Sequence, residues 1–523
     1  IDNSTFAKGL TYQGGDLSFL GYDDGTRALP NSLADIVKDG GGLAPKTPFN
    51  PNGQTPAELE KIGEGLSTDW DIKRKDNPPL GNMQAAMGDV FNLGNFRAGY
   101  IASAGWSQEI RNQNEVSKLF VAQGQGNDQL LKVQDFDVKR TLREVQLNGY
   151  FGADIEYKDK HRLFTKTLFL RQSVDEGRIS EGFTDNNPTE IRRTRLRLFS
   201  NQLLMQQVGG SHTLDWAKDL KIDWLYSHST ANREEPKFRE YRYDQLLSDN
   251  QIFAFSRQPD SNQTSYLDLK DKDQSWRVDA KLPVELSPNY RFSLESGMIT
   301  QTRTRNSGIQ RYTFFPSGPD ARNQSILNQP SLDDVLSPRN IGPNGFQIRD
   351  ITRPTDSFRA NQDLLAYYGK VDANFYEKLR ISGGMRWEDN LMLVETFQSV
   401  GNQNKPIVSK LDRVDMLPSV SATWSVSERQ QIRAGYSQTI SRPRELSPAP
   451  FTDQNTNRET IGNPNLKQTS ITNYDLRWEY YLSPNENVLA GFFWKDLRLP
   501  VEVVNVPGNA GLLTFQNADN ARL

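Results

Sequence analysis

The stretch Glu144-Val145-Gln146-Leu147-Asn148-Gly149-Tyr150-Phe151-Gly152-Ala153-Asp154-Ile155-Glu156-Tyr157 alternates residue by residue. Val145, Leu147, Gly149, Phe151, Ala153, Ile155 and Tyr157 fall on one side. Glu144, Gln146, Asn148, Tyr150, Gly152, Asp154 and Glu156 fall on the other. Successive strand side chains point to opposite faces, so this is a strand with one greasy and one wet side. The same reading holds for Trp276 to Leu286, for Asn473 to Leu482, and for Tyr367 to Phe375. These runs reach or approach ten residues, against about 5–6 in an ordinary globular strand. About ten residues is the length that crosses a bilayer when tilted. The wet sides carry full charges of both signs. A sandwich core could not hold them, whereas a barrel lumen could.

Working outward, short and long connections alternate. Short turns include Asn92-Leu93-Gly94-Asn95, Lys158-Asp159-Lys160, Ser287-Pro288-Asn289, Glu377-Lys378, Ser427-Glu428-Arg429 and Ser483-Pro484-Asn485-Glu486. Between them lie long polar stretches near 107–139, 174–190, 230–272, 304–361, 395–410 and 441–468. Outer-membrane barrels have this asymmetry, with short periplasmic turns and long outer loops. Tyr157, Phe375, Tyr376, Trp424, Tyr480 and Tyr481 cluster near short turns, as an interfacial aromatic girdle would. The pattern predicts about fifteen strands, the first near 80–91 and the last near 511–523. Thr55-Pro56-Ala57-Glu58 starts a helix, with an N-cap Thr and a proline at the first helical position.

Composition narrows the function classes. Net charge is −3, which leaves no basic footprint for nucleic acid. Mean hydropathy is −0.69, but 26 Phe, 18 Tyr and 9 Trp oppose disorder. Cysteine is absent, which removes disulfides and thiolate metal sites. No run of about 18 apolar residues forms a membrane helix. The chain starts at Ile1 and ends on a strand-like run, and it reads as an internal piece with both ends cut.

Asp23-Asp24-Gly25-Thr26-Arg27-Ala28-Leu29-Pro30 resembles the first long outer loop of TonB-dependent outer-membrane receptors. So does Gly435-Tyr436-Ser437-Gln438-Thr439-Ile440-Ser441-Arg442-Pro443, followed by Glu445-Leu446-Ser447-Pro448. Ile461-Gly462-Asn463-Pro464-Asn465-Leu466 and then Asn473 to Tyr481 are similar to the family's most recognisable barrel signature. The resemblance implies a barrel of about 22 strands around an N-terminal plug. This chain would then be an incomplete transmembrane antiparallel β-barrel. Residues 1–79 would form the first outer loop region and 80–523 the barrel strands and loops, with plug and closing strands absent. The implied function is active uptake of a scarce bulky ligand, such as a metal chelate, a vitamin or an oligosaccharide. The implied partners are outer-membrane lipid, the missing plug, a TonB-type complex reached through it, and a possible surface lipoprotein. A passive porin-like channel and a soluble all-β adhesin or carbohydrate-binding protein are the alternatives.

Neither a catalytic constellation nor a cofactor motif stands out, so no enzyme is expected. His161, His212 and His228 show no metal-ligand spacing, and Asp23-Asp24-Gly25 lacks the remaining acids of a calcium loop. Gly40-Gly41-Gly42 and Gly124-Gln125-Gly126 lack the context and lysine of a phosphate cradle. Arg193, Arg195 and Arg197 line one face of a strand as an anion-attracting ladder, with Arg192 on the greasy face near the outer rim. Either they carry an anionic ligand or they pair with acids of the plug or of neighbouring strands, such as Glu144 and Asp154. Tyr312, Phe314, Phe315, Phe346 and Phe451 in the long loops are candidate ligand contacts, since large concave sites are commonly aromatic-lined. The expected product is an open wall with apolar residues outside and an empty polar gutter inside. Its unpaired edges would lie near 80–91 and 511–523.

Overall fold

The computed structural model describes residues 8–523 apart from 13, 39–41, 123–129, 186, 188, 259–260, 398–405, 445, 447–449, 453–458 and 507–508. Fourteen long strands build one antiparallel wall. They are Gly81–Leu93, Phe96–Ala122, Leu130–Tyr157, His161–Thr184, Ile191–Leu214, Leu220–Leu246, Asn262–Ser287, Tyr290–Pro316, Phe358–Phe375, Leu379–Phe397, Pro406–Ser427, Gln430–Ser441, Thr469–Ser483 and Glu486–Arg498. Each pairs with its neighbours in chain order. The wall is not closed. Gly81–Leu93 is one edge, paired only with Phe96–Ala122 among the described residues. At the other edge, Glu486–Arg498 carries only the three residues Asn520–Arg522.

Two expectations change here. The last strand, expected near 511–523, divides. Asn509–Asn517 leaves the wall to join Val501–Val506, Glu459–Ile461 and Pro450–Thr452 in a separate four-stranded sheet. Much of the polar sequence read as loop is also strand. Phe96–Ala122 has 27 residues and Leu130–Tyr157 has 28. Their outer ends are polar on both faces, which hides the period-two signal that identified the inner ends. The helix is where the sequence placed it, at Pro56–Glu64. Thr55 and Glu58 cap each other's backbone N–H groups there. Among the described residues no helix is long and apolar enough to cross a membrane.

Near the short turns the wall has two unlike faces. Phe151, Val278, Val371 and Leu476 are exposed on one, and Trp478 shares their side. The opposite face carries Asp372 held by Arg380 at 2.8 Å, Glu295 held by Lys281 and Lys370, and Glu479 held by Arg477 at 2.8 Å. Exposed apolar residues in a ten-residue-high band fit hydrocarbon rather than water. Aromatics mark the band's lower rim. Phe96 packs on Tyr157 at 4.7 Å, and Tyr290 on Tyr376 at 5.1 Å. Two three-residue connections there, 158–160 and 376–378, take positive φ at their first two residues, Lys158-Asp159 and Tyr376-Glu377, a backbone twist that matches the strands they join.

Above the band the same faces meet protein. Thr141 and Val145 share a side of their strand with Phe151, yet both are buried. Leu10 donates its N–H to Thr141 Oγ1 at 2.8 Å, and the Gly21 carbonyl accepts from Arg171 Nε at 3.0 Å. Residues 8–76 thus cover the outward face of the projecting wall and do not enter the gutter. Their core is Trp70, fully buried, with Tyr241 and Phe314 edge-on at 6.1 and 6.3 Å. The Arg239 guanidinium lies 4.3 Å from the Trp70 ring and donates to the Leu66 carbonyl. Leu33, Leu59, Leu66, Leu332, Val335, Leu336 and Phe346 complete this core.

Candidate functional site

The face opposite the apolar band is concave. A cavity of about 780 Å³ on it draws residues from six strands adjacent in the wall, from Gln146 to Arg305. Leu168, Leu170, Leu203 and Leu269 form an apolar floor beside Tyr150. Arg233, Arg303, Arg305 and Asp271 supply charged groups, and Gln146, Asn148, Gln172 and Asn201 supply amides. Asp271 is almost fully buried and accepts from both Arg303 (Nη2, 2.6 Å) and Arg305 (Nε, 2.8 Å). Among the described lining residues Asp271 is the one acid against Arg303 and Arg305, while Asp273, directly opposite Arg303 on the adjacent strand, lies just outside the lining. Arg233 adds a third guanidinium, with Glu235 only at 3.9 Å. The arrangement can take a group that is anionic at one end and apolar or aromatic along its body.

Sequence reasoning missed this cavity because it read 230–272 and 304–361 as loops. The available signal was Thr302-Arg303-Thr304-Arg305, a continuing period-two run that puts both arginines on the wet face.

The arginine ladder lies higher on the same concave face and is engaged with acids. Arg197 grips Glu235 through two nitrogens and lies 4.4 Å from the Phe199 ring, while Arg195 meets Glu240 at 2.6 Å. Arg193 lines the same cavity as Arg195 and Glu240, which is water-sized at about 30 Å³. Partners on the adjacent strand therefore meet the ladder, though not Glu144 and Asp154. Glu144 serves Arg111 and Asp154 serves Arg162. Arg192, on the other face, pairs with Glu181 and stacks on Phe253.

The loop aromatics divide. Tyr312, Phe314 and Phe346 are buried in the core under Trp70, not on an open surface. Phe315 is half-buried beneath the Arg349 guanidinium at 3.6 Å. The side chain of Phe451 lies outside the described residues. His161 and His212 form a cross-strand pair, Nδ1 to Nδ1 at 3.3 Å, and His212 Nε2 accepts from Trp224 Nε1. That acceptance leaves the His212 proton on Nδ1, donated to His161. Among the described residues no group of three or more His, Cys, Asp or Glu could hold a metal.

With this geometry stated, the family follows. Residues 148–523 match the family model described as TonB dependent receptor-like, beta-barrel. The chain belongs to that family. TonB-dependent receptor barrels are integral to the Gram-negative outer membrane, which accounts for the exposed apolar band. Solved structures of similar shape include a double mutant of the Serratia marcescens hemophore receptor HasR in complex with its hemophore HasA and heme. It is 10% identical, with 85% of this chain and 59% of that one covered and a TM-score of 0.43. The alcaligin outer-membrane receptor FauA of Bordetella pertussis is 11% identical, with 87% and 59% covered and a TM-score of 0.42. The ferric enterobactin receptor PfeA of Pseudomonas aeruginosa in complex with BCV-L6 is 13% identical, with 85% and 59% covered and a TM-score of 0.46. This chain therefore spans about three fifths of the length of the receptors it matches. No curated protein matches it.

Proposed function

We propose that this TonB-dependent receptor barrel is the wall of an energised uptake receptor whose ligand is bulky, anionic and partly apolar. The observation that carries the reading is the concave cavity, where two guanidiniums share one buried carboxylate above a leucine floor. A metal chelate with an anionic, aromatic ligand shell has that chemistry, and a neutral oligosaccharide does not. The barrel supplies the binding surface and performs no bond chemistry. A plug and a TonB-type complex would provide gating and energy, and a surface lipoprotein would be a further partner. A passive channel would need neither.

The test is uptake by cells carrying the native gene, using a labelled anionic ferric catecholate and a labelled neutral oligosaccharide. Chelate uptake should collapse with a protonophore or without TonB. It should also fall about a hundredfold or more when Arg303 and Arg305 both become Ala, since each charge-assisted contact contributes roughly 1.5–3 kcal/mol. Oligosaccharide uptake that is insensitive to these arginines would reject the anionic reading. Uptake of either ligand without energy would favour the passive channel.

A further inference from the structure

The wall has a seam. The ladder between Pro406–Ser427 and Gln430–Ser441 runs from the short turn to Ser419 opposite Ser437 and stops there. Pro418, which has no N–H to give to a ladder, sits at the first unpaired position. Beyond it, Asp415, Met416 and Leu417 face Gln438, Thr439 and Ile440 across a cavity of about 900 Å³.

Side chains cross above the seam. Glu388 and Asp415 lie directly opposite each other on adjacent strands, a like-charge pair that opposes its own pairing. Arg442, the first residue after the strand Gln430–Ser441, reaches back to both. Its Nη2 is 2.6 Å from Glu388 and 3.8 Å from Asp415. Gln468, the residue before the strand Thr469–Ser483, donates to Asp415 Oδ1 at 2.8 Å. Both ends of the outer connection 442–468 are thereby tied to one acidic pair. Beyond this tie, Leu446, Leu466, Val501 and Phe515 rest on Val394, Met392 and Phe358, which lie on the concave face.

The tie is incompletely satisfied. Asn390 Nδ2, Asp415 Oδ2, Arg442 Nε and Gln468 Oε1 are all buried, and none of them makes a hydrogen bond. Buried polar atoms without partners penalise the closed arrangement, and opening would return them to water. A permanent staple would pair these atoms. An arrangement that holds, yet gains hydration when it parts, suits reversible opening.

We propose that Arg442 is a releasable clasp across the wall seam, holding the outer lobe formed by Leu446, 459–468, 501–506 and 509–517 against the concave face. When Arg442 lets go of Glu388 and Asp415, that lobe lifts and the concave face opens to the outside. The inference rests on the concave face being the ligand's compartment only for its purpose, not for the motion.

Hydrogen exchange read by mass spectrometry on the native gene product in outer-membrane vesicles tests the motion directly. Arg442→Gln should speed exchange in 459–468, 501–506 and 509–517 by roughly tenfold or more, while Leu379–Phe397 and Thr469–Ser483 stay protected. Arg442→Lys, which keeps the charge, should restore part of that protection. Unchanged exchange in the lobe overturns the clasp, and so does equal loosening of lobe and wall. If Arg442→Gln does not assemble, Gln468→Ala removes one tether and leaves the charges in place. It should still raise lobe exchange, and no rise would again overturn the proposal. Altered exchange with no uptake of any probe would leave the clasp standing and reject the transport reading. Normal uptake with unaltered exchange would do the reverse.

Discussion

The lower and upper halves of the wall are made from the same strands with the same alternation, yet they bury opposite things. Near the short turns the outward face carries Phe151, Val278, Val371 and Leu476 and is left open. Some ten residues higher on the same face, Thr141, Val145 and Ser173 are buried beneath residues 8–27. The inward face reverses the contrast. At the level of Asn148 and Arg305 it bounds a 780 Å³ cavity, and higher up the ladder Arg195–Glu240 and Arg197–Glu235 closes to a 30 Å³ void. A period of two says that two faces differ. It does not say which medium each face meets, because that depends on what lies beyond the strand.

Four tests by substitution would break or sharpen this contrast. Trp70→Ala should cost the outer half about 3–5 kcal/mol through the cavity it leaves. Limited proteolysis should then cut within 8–80 while the heat-modifiable gel shift of the native gene product survives. Loss of both together would mean that the halves are one cooperative unit. Arg197→Ala strands Glu235 without its buried partner and should cost about 3–5 kcal/mol. Replacing Glu235 by Leu at the same time should recover much of that in urea titrations. No recovery would show that the ladder contributes more than mutual neutralisation.

Val371→Arg places a charge in the apolar band and should cost about 2–4 kcal/mol in lipid vesicles. Asn306→Arg, on the same face above the band, should stay within about 0.5 kcal/mol. Equal costs would erase the boundary between the halves. The smallest effect belongs to the cap of the helix Pro56–Glu64, where Thr55→Ala should cost about 1 kcal/mol. The Thr55 backbone N–H, then its hydroxyl, holds the Glu58 carboxyl below the usual range. The folded-state pKa is depressed, so this stabilisation is present at neutral pH and is lost as pH falls through that lowered value. Hydrogen exchange of this helix measured from pH 7 downward should show the loss in wild type and a smaller loss in Thr55→Ala, which keeps the backbone N–H but not the hydroxyl.

The sequence determined the strands wherever a greasy face met a wet one. The run 144–157, the turn Lys158-Asp159-Lys160 and the pair Arg195 and Arg197 on one face could all be placed without coordinates, because alternation and turn chemistry are local. Where both faces are polar, alternation carries no signal, and so 230–246, 262–272 and 304–316 hid as loops with Arg233, Asp271 and Arg305 inside them. Tyr312, Phe314 and Phe346 are aromatic whether they meet ligand or core, and only the fold of residues 8–76 against them decided for core. The seam at Pro418 depends on two strands that approach and then part. Whether Arg442 would end a strand or tie two others together was decided by which carboxylates the tertiary structure brought within its reach.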